Sequence, residues 1–96
     1  MEQAKPDKKV GFSVKIDRQN NAGARFQVPS NTGETLDIEK GEKFIVELRN
    51  MDGEEKVEKL KVQTSNSYFR FYIPKGVAEN LELDTGDLLD VFLRRP

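Results

Sequence analysis

The chain has 96 residues and a mass of 11.0 kDa, the size of one ordinary domain. It contains no histidine and no cysteine, which excludes histidine-based acid–base catalysis, cysteine nucleophiles, disulfides and the usual zinc and iron–sulfur sites. With 16 basic and 17 acidic residues, a net charge of −1 and no long apolar run, the composition predicts a non-enzymatic cytoplasmic protein with no cofactor, metal or membrane-spanning segment.

The first segments predict a tail followed by a strand. Residues 1–9 are polar, and we expect them to form a loose tail ahead of a single domain at residues 10–96. Phe12, Val14 and Ile16 then alternate with polar residues, as they do in a strand with one buried face.

The next residues predict a second strand, a helix and a third strand. The second strand contains Phe26 and Val28 and ends at Pro29, which cannot donate a hydrogen bond to a ladder. A short helix over residues 30–35 follows, and then a turn at Gly41, where a positive φ is expected. The third strand turns three side chains inward, Phe44, Val46 and Leu48. The order of elements is ββαβ.

The same order recurs in the second half of the chain. Residues 25–49 align with residues 70–94 without a gap, and nine of the 25 pairs are identical. We therefore predict two repeats, at residues 10–50 and 56–96, with residues 50–53 as a hairpin turn or short linker. The identical pairs are Arg25/Arg70, Phe26/Phe71, Pro29/Pro74, Glu34/Glu79, Leu36/Leu81, Gly41/Gly86, Val46/Val91, Leu48/Leu93 and Arg49/Arg94.

Two units of this size predict one shared core. Neither can bury a strand face alone, so we expect a mainly β fold with short helices, in which the repeats intertwine into one pseudo-twofold, six-stranded closed barrel. In the aromatic run of the second unit, alternation predicts that Phe69 and Phe71 point inward and that Tyr68 and Tyr72 point outward.

The second unit also resembles a known family. Its RFYIPK at residues 70–75 and LELDTGDLLDV at residues 81–91 resemble the AbrB/SpoVT/MazE swapped-hairpin family, in which an arginine and an Ile-Pro precede a short helix and a Gly-Asp precedes the last strand. The tandem arrangement is also similar to the related cradle-loop barrels of the double-psi and RIFT types, and the pattern leaves open which topology applies. The resemblance implies a DNA-binding transcriptional regulator with double-stranded DNA as its partner.

Positive charge is concentrated in two segments. Residues 1–25 contain six basic and three acidic residues, and residues 59–75 contain four basic residues and no acidic one. One hypothesis is a phosphate-facing patch with salt-sensitive affinity, and the other is a solvated surface that pairs with neighbouring acids. The candidate DNA-binding residues are Lys15, Arg18, Arg25, Lys59, Lys61, Arg70 and Lys75.

Other residues favour a different function. Glu34 and Glu79 lie where DNA-binding members of the family carry basic helix residues. Together with the near-zero net charge, they favour a protein-interaction barrel: an adaptor, an antitoxin or a substrate-recognition module, existing as a monomeric pseudo-dimer or a homodimer. Asp84, Asp87 and Asp90 lack the spacing of a calcium-binding loop and are expected to be solvated turn residues.

Overall fold

A computed structural model describes residues 9–19, 22–65 and 67–96 of the chain, so the expected tail lies outside the described residues except for Lys9. Within these residues the mainly β character and the two short helices are confirmed. The elements are β1 (Val10–Lys15), β2 (Asp17–Arg18), β3 (Ala24–Gln27), α1 (Ser30–Leu36), β4 (Lys43–Arg49), β5 (Glu55–Lys61), β6 (Gln63–Ser65), β7 (Tyr68–Ile73), α2 (Lys75–Asn80) and β8 (Leu88–Arg94).

The strands form two antiparallel sheets of four strands each. The first sheet has the order β1-β8-β4-β5, and the second sheet has the order β2-β3-β7-β6. No ladder within the described residues joins one sheet to the other. The prediction of a single closed six-stranded barrel is therefore wrong for this part of the chain.

The difference arises where the chain crosses from the first sheet to the second. At Ile16, between β1 and β2, the backbone N–H donates to the carbonyl of Asp87 at 2.9 Å, and the carbonyl accepts from the N–H of Gly86 at 2.8 Å. Val62, between β5 and β6, makes the equivalent bonds to residues 41–42 at 2.8 and 3.1 Å. Each predicted first strand is thus divided at a bend of the kind that lets a strand change sheets.

A single hydrophobic cluster contains buried side chains from both sheets and both helices. Its centre includes three aromatic rings. The ring centroids of Phe26 and Phe71, both in the second sheet, are 5.7 Å apart, and Phe44 of the first sheet meets Phe71 edge-on at 6.1 Å. The Phe44–Phe71 contact has the edge-to-face geometry that aromatic pairs prefer, and it packs the first sheet against the second.

The predicted turns are confirmed. Gly41 and Gly86 have φ values of 81° and 92°, which glycine adopts without the steric cost of a Cβ. Residues 50–53 form the hairpin turn between β4 and β5, and their first residue, Asn50, is buried. The Asn50 amide donates to the carbonyl of Leu81 at 3.0 Å and accepts from the N–H of Glu54 at 2.9 Å, so it ties the hairpin to the segment after α2.

Candidate functional site

Three of the predicted cations come together on the outward side of the second sheet. Directly opposed residues of antiparallel strands share a face. The opposed residues on this side are Asp17–Arg25–Tyr72 in one row and Gln27–Arg70–Gln63 in the next. We call this surface, with Lys15 at its border, the arginine face; it consists of Lys15, Asp17, Arg25, Gln27, Gln63, Arg70 and Tyr72.

The backbone beneath the arginine face explains why both arginines point outward. Phe26 and Phe71 follow the two arginines in sequence, oppose each other in the ladder and are buried, so alternation turns the arginines to solvent. Gly23 allows β3 to begin against the end of β7. It has a φ of 107°, and a Cβ there would lie 2.3 Å from the carbonyl oxygen of Ile73.

A cleft of about 220 Å³ opens on this face. Three basic residues line it, Lys15, Arg25 and Arg70, together with one acidic residue, Asp17. Lys15 is the last residue of β1, where the chain leaves the first sheet, and it therefore reaches the border of the second. Three positive charges around one carboxylate leave this cleft electropositive.

The two arginines differ in their partners. The Nε atom of Arg25 lies 2.8 Å from a carboxylate oxygen of Asp17, and this hydrogen bond is the main reason that the pKa of Arg25 is raised. Arg70 forms no ion pair with a carboxylate of the described residues. Unlike Arg25, it therefore has, within this part of the chain, no carboxylate that competes with a bound anion.

Tyr72 opposes Arg25 across the ladder and lies two residues from Arg70 on the same face of β7. Hydrogen bonding from Arg70, and to a smaller extent from Arg25, lowers the pKa of Tyr72. Alternation alone predicted that Tyr72 would point outward, but sequence reasoning missed it as a site residue. Only the register between β3 and β7 reveals that it reaches both arginines.

Lys59 and Lys61 lie elsewhere. Both are exposed on β5 in the first sheet, where they oppose Ile45 and Lys43 of β4. Lys59 is therefore separated from Arg25 and Arg70. Lys61, the last residue of β5, stands where the chain leaves the first sheet, but it does not line the cleft.

Arg18 and Lys75 also lie apart from the cleft. The Arg18 guanidinium donates to the carbonyl of Leu83 at 3.0 Å, and its Nε atom is buried, so the side chain supports the turn after α2. Lys75 begins α2 and lies 3.9 Å from the carboxylate of Glu79, one turn further along the helix. We leave both residues out of the site.

A second cleft, of about 360 Å³, lies between α1 and β7. Glu34 and Asp37 contribute carboxylates to it, and Tyr68 and Phe69 contribute aromatic rings. A Cβ at Gly33 would be 3.2 Å from the ring of Phe69, so the glycine in α1 makes room for that ring. This cleft is acidic, in contrast to the cleft on the arginine face.

Of the three aspartates expected in a turn, Asp84 and Asp87 lie in the turn before β8, whereas Asp90 lies within β8 opposite Ser13, so the expectation is wrong for Asp90. The Asp87 carboxylate accepts from the N–H of Asp84 at 2.8 Å, and Asp90 accepts from the Ser13 hydroxyl at 2.6 Å. Among the described residues, no group of three or more potential ligands is arranged to hold a metal ion. In the same part of the chain, no helix has the length and apolar character needed to cross a membrane.

Comparison with known proteins gives a likeness of fold. No family model matches the chain, and no curated protein matches it. Among solved structures, the solution structure of PHS018 from Pyrococcus horikoshii is similar, with a TM-score of 0.66 and 21% sequence identity over 90% of this chain and 92% of that chain. At this identity the likeness shows the fold alone: the chain shares its mainly β architecture with PHS018.

Proposed function

We propose that the chain binds nucleic acid through the arginine face and that it acts without catalysis. The observation that carries this proposal is the convergence of Lys15, Arg25 and Arg70 on one cleft. These residues come from three strands and from both halves of the chain.

The chemistry of this cleft suits phosphate. A guanidinium group offers a planar fork of donors that matches two phosphate oxygens, and a lysine ammonium adds a mobile point charge. Gln27 and Gln63 flank Arg70 and supply neutral amide donors to the same surface. An extended polyanion gains more from such a row than a single small anion does, because each neutralised phosphate releases counterions.

We further propose that the chain consists of two intertwined ββαβ repeats related by a pseudo-twofold axis. The ladder registers support this. Phe26 opposes Phe71 in the second sheet, and Glu47 opposes Phe92 in the first, and each pair is separated by the 45-residue offset of the sequence alignment. An axis through both pairs would relate Arg25 to Arg70, so the repeat itself would supply a symmetric pair of guanidinium groups.

The test is a binding titration of fluorescently labelled oligonucleotides, followed by anisotropy at about 50 and 200 mM salt. We expect the double variant Arg25→Ala/Arg70→Ala to lose at least about tenfold in affinity. Because two phosphate contacts are removed, the slope of log affinity against log salt should fall by about 1.4 to 1.8.

A matched control is available on the other sheet. Lys56→Ala/Lys59→Ala removes the same number of positive charges from β5, away from the arginine face, and it should change affinity much less. Equal losses in the two double variants would mean that binding follows net charge alone and would contradict the site. Absence of binding by the wild-type chain at low salt would contradict the function.

A protein-interaction domain is the second candidate, and the acidic cleft between α1 and β7 favours it. Glu34 and Asp37 beside the ring of Tyr68 suit a lysine or arginine side chain of a partner protein. In that case binding of the partner would be unchanged by Arg25→Ala/Arg70→Ala and would be weakened by Glu34→Gln/Asp37→Asn.

A further inference from the structure

Strand β7 presents a row of three side chains on the outward side of the second sheet. Tyr68, Arg70 and Tyr72 are alternate residues of one strand, so they share a face at intervals of about 6.8 Å. The two tyrosines are 47% and 46% exposed. Two aromatic rings half open to solvent on either side of an arginine form a surface suited to flat, π-bonded groups as well as to anions.

We infer that the nucleic acid bound by this chain is single-stranded, and that its bases stack on Tyr68 and Tyr72 while Arg70 and Arg25 hold the phosphates between them. This inference rests on the proposed function. In a single strand the faces of the bases are free to stack on aromatic side chains, whereas in a duplex they are covered by neighbouring base pairs. Tyr72 opposes Arg25 across the ladder and lies two residues from Arg70 on the same face of β7, so the register keeps its ring next to the phosphate-binding groups.

The width of the sheet also favours a single strand. Four strands spaced by about 4.8 Å extend over about 14 Å before their side chains are counted. The major groove of DNA is about 12 Å wide and admits a helix or a two-stranded ribbon. The second sheet as a whole is therefore too wide to enter the groove, and the two helices have only seven and six residues. A duplex would meet this face through its phosphates only.

The positions of the carboxylates limit the length of nucleic acid that this surface can bind. Residues 59–75, which include β6 and β7, contain no acidic residue. Tyr68 also lines the acidic cleft that contains Glu34 and Asp37, so a phosphate placed beyond Tyr68 would be repelled. We therefore expect a short footprint, with two stacked bases.

The composition of the chain supplies a direct readout. The protein contains two tyrosines, which are Tyr68 and Tyr72, and no tryptophan. Base stacking quenches tyrosine emission, so titration of the full chain with an oligothymidylate of about ten nucleotides should quench its intrinsic fluorescence. The quenching should saturate together with the anisotropy of a labelled copy of the same oligonucleotide.

Substitutions separate stacking from other roles of the tyrosines. Tyr68→Leu and Tyr72→Leu should each weaken binding of the oligothymidylate by about tenfold, because they remove the ring. Tyr68→Phe and Tyr72→Phe are the matched controls and should bind within about twofold of the wild type, because they keep it. Circular dichroism and thermal unfolding of all four variants establish that each is folded.

The outcomes distinguish this inference from the proposed function. If a duplex of equal length binds as tightly as the single strand, or if both leucine variants bind as the wild type does, the single-strand inference is overturned and the phosphate site stands. If Arg25→Ala/Arg70→Ala leaves affinity unchanged, the proposed function is overturned whatever the tyrosine variants do. Weaker binding of the leucine variants in the anisotropy titration, together with weak duplex binding, supports both.

Discussion

The outward faces of the two sheets carry similar side chains but arrange their charges in opposite ways. On the first sheet, the Glu47 carboxylate is 3.1 Å from the ammonium group of Lys9 and 3.6 Å from the guanidinium of Arg94. Arg49 pairs with Glu55 on the neighbouring strand. We call this surface, formed by Lys9, Glu47, Arg49, Glu55, Phe92 and Arg94, the ion-paired face.

The aromatic residues of the two faces differ in the same way. On the ion-paired face, Lys9 and Arg49 lie 5.1 and 5.5 Å from the centroid of the Phe92 ring, so cations cover it. On the outward side of the second sheet, Tyr68 and Tyr72 are about half exposed. Strands of similar composition therefore form either a surface whose charges pair with one another or an electropositive surface. The outcome depends on where the strand register places the acidic residues.

Among the substitutions considered, one at Gly11 on the ion-paired side of the first sheet should change the stability of the protein most. A Cβ at this position would lie 2.7 Å from two atoms of the Phe92 ring, so Gly11→Ala must displace the ring from beneath its cations. We expect the free energy of unfolding, measured by urea denaturation, to fall by about 1–3 kcal/mol. Oligonucleotide binding at the arginine face should not change.

A second substitution checks the cause of that loss. In a Phe92→Leu background, Gly11→Ala should cost clearly less, because the smaller side chain leaves room for the added methyl group. An equal cost in both backgrounds would mean that the ring is not what excludes a side chain at position 11.

Removing the carboxylate from the arginine face should have the next largest effect, and it should make this face differ more from the ion-paired face. Asp17 competes with a bound phosphate for Arg25 and repels that phosphate. Asp17→Asn should therefore raise affinity for the oligothymidylate by about two- to fivefold, the range of an exposed ion pair. Glu47→Gln removes a carboxylate from the other face and is the control; a similar gain in both variants would argue against a local role for Asp17.

The pH dependence of stability should distinguish Glu47. The hydrogen bond from Lys9 is the main cause of its lowered pKa, which lies below the ordinary value of 4.5. Its folded-state pKa is thus below the unfolded one, so the stabilisation is present above about pH 4.5 and is lost as the pH falls through the lowered pKa. In urea denaturation, the difference between wild type and Glu47→Gln should be larger at pH 7 than at pH 3. A difference independent of pH would contradict this assignment.

The smallest effect concerns Tyr72 and appears only at high pH. Hydrogen bonds from Arg70 and Arg25 lower the pKa of Tyr72 below its ordinary value of 10.0. As the pH rises through that lowered pKa, the phenolate neutralises part of the arginine pair and phosphate binding weakens. Oligonucleotide affinity of the wild type should therefore decline at a lower pH than that of Tyr72→Phe, while the two agree at pH 7. Coincident pH profiles would show that Tyr72 does not titrate beside the bound phosphate.

Local features of the fold could be predicted because they depend on neighbouring residues. Alternation predicted the buried Phe71 and the exposed Tyr72, and the glycines predicted the turns at residues 41 and 86. The closed barrel was predicted wrongly because the alternating pattern continues through Ile16. Nothing in that pattern indicates that the residue hydrogen-bonds to a turn and turns the chain toward another sheet.

Local sequence patterns predict which side chains are apolar and inward, that each helix begins after a proline, and which cations are candidates for binding. Which of those cations meet depends on the tertiary structure. Lys15, Arg25 and Arg70 share a cleft, whereas Lys59 and Lys61 lie on the other sheet. The reason is that alternation is a local property of the backbone, whereas register and sheet membership depend on hydrogen bonds between segments far apart in the chain.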